Sequence, residues 1–362
     1  MNYAQITYSL QDAERGLDAA QKRAVPCFFQ WLNCFGSKSI HTVREADDLS
    51  QYDVVHLHLA SLTYDLARQV RGRIGWNADT KIVVSVDYGL ELWRHWLGNP
   101  EQLLDNLSYA DIITAPEPVA AELLADLTGR EVLLTTNPAP IKKLSRSKSE
   151  KRDGISVTTH RYDKNAYLPY WVTRDYKPSH LFGHTDGDKR EGLGRTDNTT
   201  LMYDRVHPMY AHEEYMSNLS RRYVNFDSYT VHSPGRTQIE CAAVGVPCIG
   251  YETSWAQTVL FPALTFRVND LNGVRKAMRM LHEDEAFYYD VMHYAFEKLD
   301  FFDIPACGQR LKAALKGPEE NDDSGLELCE EDEGIRSTTG SAVDGEERAL
   351  ADMPTAEEAQ PT

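Results

Sequence analysis

The sequence predicts an α/β protein of two Rossmann-like, doubly wound domains, followed by a disordered acidic C-terminal tail. Three observations carry this. Short apolar strands alternate with amphipathic helices at close spacing through most of the first 300 residues. Asn137-Pro138-Ala139-Pro140 and the charged, serine-bearing stretch from Lys142 to Arg152 interrupt that alternation once. From Pro318 onward the chain is acidic, bears glycine and serine, and lacks aromatics, so it cannot bury enough surface to fold. The boundaries that follow are 1–140 for the first domain, 141–153 for a linker, 154–317 for the second domain and 318–362 for the tail.

In the first domain, Ala4 to Ser9 reads as a weak strand and Leu17 to Cys34 as a helix, with Ala20, Ala24, Cys27, Phe28 and Trp31 on its apolar positions. Gly36 ends that helix, and Ser39 to Val43 is a second strand. The near-continuous apolar run from Asp53 to Leu59 suits a parallel strand covered on both faces. A helix over Leu62 to Arg71 and a strand over Lys81 to Val86, closing at Asp87, come next. A helix (Pro100 to Tyr109), a strand (Asp111 to Thr114), a helix ended by Gly129 (Val119 to Leu127) and a strand (Glu131 to Thr135) complete this domain.

The second domain opens with a strand from Ile155 to His160 and a helix from about 165 to 174. A short strand, His180 to Gly183, precedes a polar loop from Thr185 to Thr199. A helix at about 212–222 and a strand over 225–231 lead to the segment that organises the rest. Residues 229–250 read as strand end, tight loop, helix and strand. Ser233-Pro234-Gly235 breaks the strand, and Thr237 to Val244 has helical periodicity with Ile239, Ala242 and Ala243 on one face. Gly245 stops the helix and Val246 to Gly250 begins a buried strand. Beyond it come a strand (Leu264 to Val268) and two helices, Leu271 to His282 and Glu285 to Leu299.

Such a loop and first helical turn present unpaired N–H groups and the positive end of a dipole, which phosphate commonly occupies. Thr237 can cap this helix. Glu240, three residues on, has the spacing of a capping box, and its competing role is to bind whatever the loop holds.

The string Gly235-Arg236-Thr237, Glu240, Gly245-Val246-Pro247 resembles the donor-binding segment of GT-B glycosyltransferases, most nearly the retaining group that uses nucleotide-sugar donors. The resemblance implies two Rossmann-like domains facing a cleft, a helix N-terminus at the donor diphosphate and Glu240 on the nucleotide ribose. In that family a second Glu usually stands eight positions earlier and contacts the sugar. Here that position is His232, which has a hydrogen bond to offer a sugar or phosphate, or is a plain loop histidine. Arg161 and Lys164, just after the first strand of the second domain, resemble the pair that grips the donor pyrophosphate. Two cations there would offset the charge that builds as the glycosidic bond breaks, unless they are incidental charges on a solvated loop.

Gly235 lets the backbone approach phosphate, and Arg236 adds either a cation at the donor or an ion pair within the domain. His56 and His58, two apart on one strand, share a face. One of them is expected in the core, and His58, nearer the carboxyl end, is the candidate for a site role. Asp87 ends its strand at the same edge. It is the acceptor-side candidate for catalysis, able to orient or deprotonate a hydroxyl, with a helix cap as the alternative.

No cofactor or metal is expected; a nucleotide-diphosphate sugar would be the co-substrate. Asp186-Gly187-Asp188 lies in a polar loop rather than at a strand end, and neither a Walker loop, nor G-x-G-x-x-G after the first strand, nor a Cys/His cluster occurs. The acceptor is open among glycan, protein and modified DNA. Two other readings stay open: a non-catalytic binding module of this fold, and a nucleotide-sugar epimerase.

The formal net charge of −17 is misleading as a whole. Residues 318–362 hold fifteen Asp or Glu against two Arg, a net of −13, which leaves −4 for residues 1–317. Six scattered cysteines without a C-x-x-C pair point to reduced thiols. No secretory signal pattern opens the chain and no apolar run reaches about eighteen residues, so a cytoplasmic location is expected.

Overall fold

The computed structural model describes residues 1–7, 18, 26–42, 49–59, 65–76, 79–86, 100–158, 167–182, 203–207 and 210–316. The expected tail therefore lies outside the described residues. Among the described residues twelve strands form two six-stranded parallel sheets. The first holds β1 (Tyr3–Thr7), β2 (Ser39–Thr42), β3 (Val54–Leu59), β4 (Lys81–Val86), β5 (Ile112–Ala115) and β6 (Val132–Leu134), in the order β2-β1-β3-β4-β5-β6. The second holds β7 (Asp153–Thr158), β8 (Ser179–Phe182), β9 (Arg205–Val206), β10 (Arg222–Phe226), β11 (Cys248–Tyr251) and β12 (Thr265–Phe266), in the order β12-β11-β10-β7-β8-β9. The fold is thus α/β with two Rossmann-like sheets.

Each sheet reverses direction beside its first strand. In the second the reversal falls between β7 and β10, where Val157 is in register with Phe226. Loops leaving the carboxyl ends of such neighbours diverge, which opens a crevice at that edge.

Helices connect the strands of the first sheet: α1 (Trp31–Phe35), α2 (Leu66–Ile74), α3 (Pro100–Ser108) and α4 (Pro118–Thr128). A short helix, α5 (Ile141–Leu144), lies in the expected linker. It forms because Ile141 and Leu144, three apart, both bury their side chains. The second sheet carries α6 (Tyr167–Thr173), α7 (His212–Leu219), α8 (Arg236–Val244), α9 (Trp255–Leu260), α10 (Leu271–Glu283) and α11 (Glu285–Leu299). Val274, Ala277, Met278 and Leu281 make the buried stripe of α10, and Asp270 caps it by accepting from Gly273 N at 2.9 Å. Asp284 caps α11 in the same way through Phe287 N at 3.0 Å.

The last described helix, α12 (Ile304–Lys316), returns to the first sheet. Its Cys307 and Leu311 are fully buried with Tyr3, Phe28, Trp31 and Leu32. The crossing is anchored where Ala139 N donates to Phe302 O at 2.8 Å. Neither α12 nor α9 is expected from the sequence; the apolar positions of α9 are too few for a periodic signal, and a proline opens α12 at its second residue. The strand expected over 225–231 starts earlier and ends at Phe226. Asp227 N still donates to Ile249 O of β11 at 2.9 Å, and the Asp227 carboxylate accepts from Gln238 Nε2 of α8 at 3.1 Å. The strand expected over 264–268 shrinks to two residues.

Candidate active site at the head of helix α8

The nine-residue helix α8 follows the loop 227–235 at the carboxyl edge of the second sheet. Gly235 is its N-cap, at φ 85°, a left-handed conformation that glycine adopts without cost. A Cβ there would sit 2.8 Å from Ala256 Cβ and nearer still to Ser254 Oγ. The loop is stitched to the segment after β11: Ser233 N donates to Thr253 O at 2.9 Å, Trp255 N to Ser233 O at 3.0 Å and Ala256 N to Pro234 O at 3.1 Å. Backbone on both sides therefore holds the entry to α8 in place.

Thr237 does not cap this helix. It is a buried residue of the first turn, and no side chain caps Gly235. The capping-box role for Glu240 fails with it. Glu240 Oε1 instead accepts from His212 Nε2 at 2.8 Å and from Arg236 Nε at 2.7 Å. Its side chain is only 3% exposed, against 47% for Arg236 and 6% for His212. Burial alone would push this carboxyl up. The Arg236 charge and the bonds from His212 and Arg236 outweigh it and hold Glu240 at about 2, ionised at any ordinary pH. Among the described residues no donor reaches Oε2, and none pairs with His212 Nδ1, which is buried. An ionised carboxylate thus stands one turn into a helix whose first N–H groups no side chain caps.

Arg236 proves to be a partner of Glu240 one turn away, as its ion-pair alternative expects, while its side chain as a whole stays half-exposed. His232 lies in the loop ahead of α8 with its side chain 32% exposed, and its Nδ1 is 4.0 Å from Glu117 Oε2, contributed by the first half of the chain. The two histidines of β3 separate as expected. His56 is wholly buried, its ring spanning Tyr3 Oη and Ser85 Oγ at 2.7 Å each; burial, with a smaller push from His58, takes it down to about 3. His58 is half-buried at the strand end and stacks on Phe28 with ring centres 4.8 Å apart.

Asp87, Arg161 and Lys164 lie outside the described residues, as does Asp186-Gly187-Asp188. The strands that lead to the first three end at Val86 and Thr158. Among the described residues no group of three or more His, Cys, Asp or Glu is placed to hold a metal ion. Nor is any described helix long and apolar enough to cross a membrane. The structure therefore gathers Gly235, Arg236, Thr237 and Glu240 at one helix head, with His232 beside it. It adds His212 and Glu117, which no local pattern signals because their partners lie 28 and 115 residues away in the chain.

No protein-family profile and no curated protein sequence matches the chain. Solved structures do. HepE from Anabaena, in complex with UDP, superposes with a TM-score of 0.61 at 14% identity, over 87% of this chain and 100% of that one. Sucrose-phosphate synthase from Thermosynechococcus elongatus gives 0.57 at 17% identity, over 74% and 73%. A Listeria monocytogenes protein assigned as a UDP-N-acetylglucosamine 2-epimerase gives 0.53 at 15% identity, over 89% and 97%. Two parallel sheets in these orders, together with such likenesses, give this chain the fold of the GT-B glycosyltransferases.

Proposed function

We propose that the chain is a glycosyltransferase that moves a sugar from a nucleotide-diphosphate donor to an acceptor hydroxyl. The observation that carries this reading is the Glu240 carboxylate, buried and ionised at the head of α8, with Oε2 receiving no bond from the described residues. A ribose hydroxyl is the donor such an oxygen lacks. The uncapped N–H groups behind Gly235 and the half-exposed Arg236 suit the adjoining diphosphate.

In this reading Gly235, Arg236, Thr237 and Glu240 hold the donor. Arg161 and Lys164 add charge on the diphosphate, His232 meets the sugar, and Asp87 and His58 serve the acceptor side. UDP in HepE favours a nucleoside diphosphate as the leaving group. Among the described residues all five cysteines are free thiols, which favours a cytoplasmic setting.

A second reading is an epimerase acting on the nucleotide sugar without an acceptor, favoured by the likeness to the Listeria protein. The test is to incubate the protein with UDP-, GDP- and dTDP-hexoses, with and without candidate acceptors, and to follow products by NMR. Acceptor-dependent release of nucleoside diphosphate, lost in Glu240→Gln, supports transfer. An altered sugar on an intact donor, formed without acceptor, supports epimerisation. If every nucleotide sugar stays unchanged, both readings fail.

A further inference from the structure

A second cluster near the same loop joins the two halves of the chain. Glu117 follows β5 and caps α4, accepting from Val119 N on Oε2 at 3.1 Å and from Ala120 N on Oε1 at 3.0 Å. The residue is 2% exposed, so its carboxylate is fixed against the positive end of that helix. Oε2 also faces His232 Nδ1 at 4.0 Å, within ion-pair range and just beyond hydrogen-bond length. His232 is held in turn, since the next residue, Ser233, bridges to Ser254. Capping α4 does not require a glutamate, because the shorter Ser, Thr, Asp and Asn serve best there. The longer side chain is what brings a carboxylate to the other half's loop.

We propose that Glu117 and His232 form a carboxylate–histidine dyad across the two halves that reads the sugar of the donor. Glu117 is the positioning residue. By attracting the Nδ1 proton it fixes the tautomer and ring orientation of His232, as a carboxylate does for any oriented imidazole. The rest of that ring, one third exposed and three residues ahead of the Gly235 N-cap, then meets a hydroxyl of the hexosyl group while the diphosphate lies at α8. The dyad rests on the glycosyl-transfer reading and deepens it. Discrimination between sugars would depend on a residue from the half of the chain that does not hold the nucleotide.

The experiment is calorimetric binding of UDP-, GDP- and dTDP-hexoses, each beside its parent nucleoside diphosphate, to wild type, Glu117→Asp, His232→Gln and the double variant. Asp is a good N-cap, so Glu117→Asp keeps α4 capped while withdrawing the carboxylate by one methylene. A urea midpoint close to wild type checks that it folds. The expected result is an affinity for the nucleotide sugar about tenfold weaker in each single variant, no further loss in the double variant, and unchanged affinity for the bare diphosphate. Equal weakening of both ligands, or a Glu117→Asp protein that binds the nucleotide sugar like wild type, overturns the dyad and leaves the transferase reading standing. A wild-type protein that binds no member of the panel overturns both.

Discussion

His212 Nε2 donates to Glu240 Oε1 over 2.8 Å, with both side chains more than nine-tenths buried. The carboxylate at the head of α8 is therefore fixed by α7, a helix 28 residues upstream, as well as by Arg236 on its own helix. Removing one member of a buried, hydrogen-bonded ion pair costs several kcal/mol, because the partner stays behind without its counter-charge. Arg236 is half-exposed and can turn to water, so the cost here is smaller. Glu240→Ala is expected to lower unfolding free energy by about 1–3 kcal/mol, measured by urea denaturation. A loss below a few tenths would mean that the cluster is idle.

The same cluster makes stability depend on acid in a defined window. Glu240 is held at about 2 in the folded chain, against an ordinary 4.5. A depressed carboxyl stabilises fully above its unfolded value and loses that contribution as pH falls from about 4.5 through 2. The difference in urea midpoint between wild type and Glu240→Gln is therefore expected to shrink steadily over that range. A difference independent of pH from 5 to 2.5 would contradict the assignment.

His56 acts over a higher window. Its imidazole stays neutral down to about 3, whereas an unfolded histidine takes a proton near 6.5. The unfolded state thus gains a proton first, so stability is full above 6.5 and falls on acidification by up to about 1.4 kcal/mol per pH unit. His56→Asn, which removes the titrating ring from between Tyr3 and Ser85, is expected to flatten the stability profile between pH 6.5 and 4. The check is a series of urea midpoints; an unchanged slope in the variant would place the titration elsewhere.

Gly235 is expected to tolerate no side chain. At φ 85°, with Ala256 Cβ at 2.8 Å from the added carbon, Gly235→Ala combines a left-handed penalty with overpacking. The expected cost is about 2–4 kcal/mol. Thermal unfolding measures it, and a wild-type melting temperature would show that the turn is not as tight as described.

Leu311 is fully buried between α12 and the first sheet's helical layer. Leu311→Ala is expected to cost about 2–5 kcal/mol in urea unfolding, since the cavity opens where α12 returns to the first half. A surface-like loss under 0.5 kcal/mol would mean that α12 does not pack there.

Much of this was legible beforehand, for reasons that differ from element to element. The alternation of apolar runs with 3.6-period stripes gave both sheets, and the glycine stop at Gly245 gave the end of α8, because these are local consequences of backbone geometry. The strand expected to reach Val231 ends at Phe226, and beyond the Asp227 N–Ile249 O bond the chain turns into a loop whose Ser233 and Pro234 pair with residues 253–256. Thr237 has a capper's chemistry but the wrong place, since Gly235 takes the N-cap in a left-handed conformation that threonine avoids. Arg236 is a local, i,i+4 partner of Glu240, but His212 and Glu117 come to Glu240 and His232 through tertiary packing, and nothing in their spacing announces them. The return of α12 is equally silent, because Cys307 and Leu311 have an apolar stripe that suits either sheet.

The most direct measurement is isothermal titration of nucleotide sugars into wild type and Glu240→Gln. Binding of at least one UDP-, GDP- or dTDP-hexose by wild type, weakened about tenfold or more in the variant, is the expected result, since a hydrogen bond to a charged group contributes about 1.5–3 kcal/mol. No binding by wild type, or equal affinity in both proteins, would contradict the placement of the donor at the head of α8.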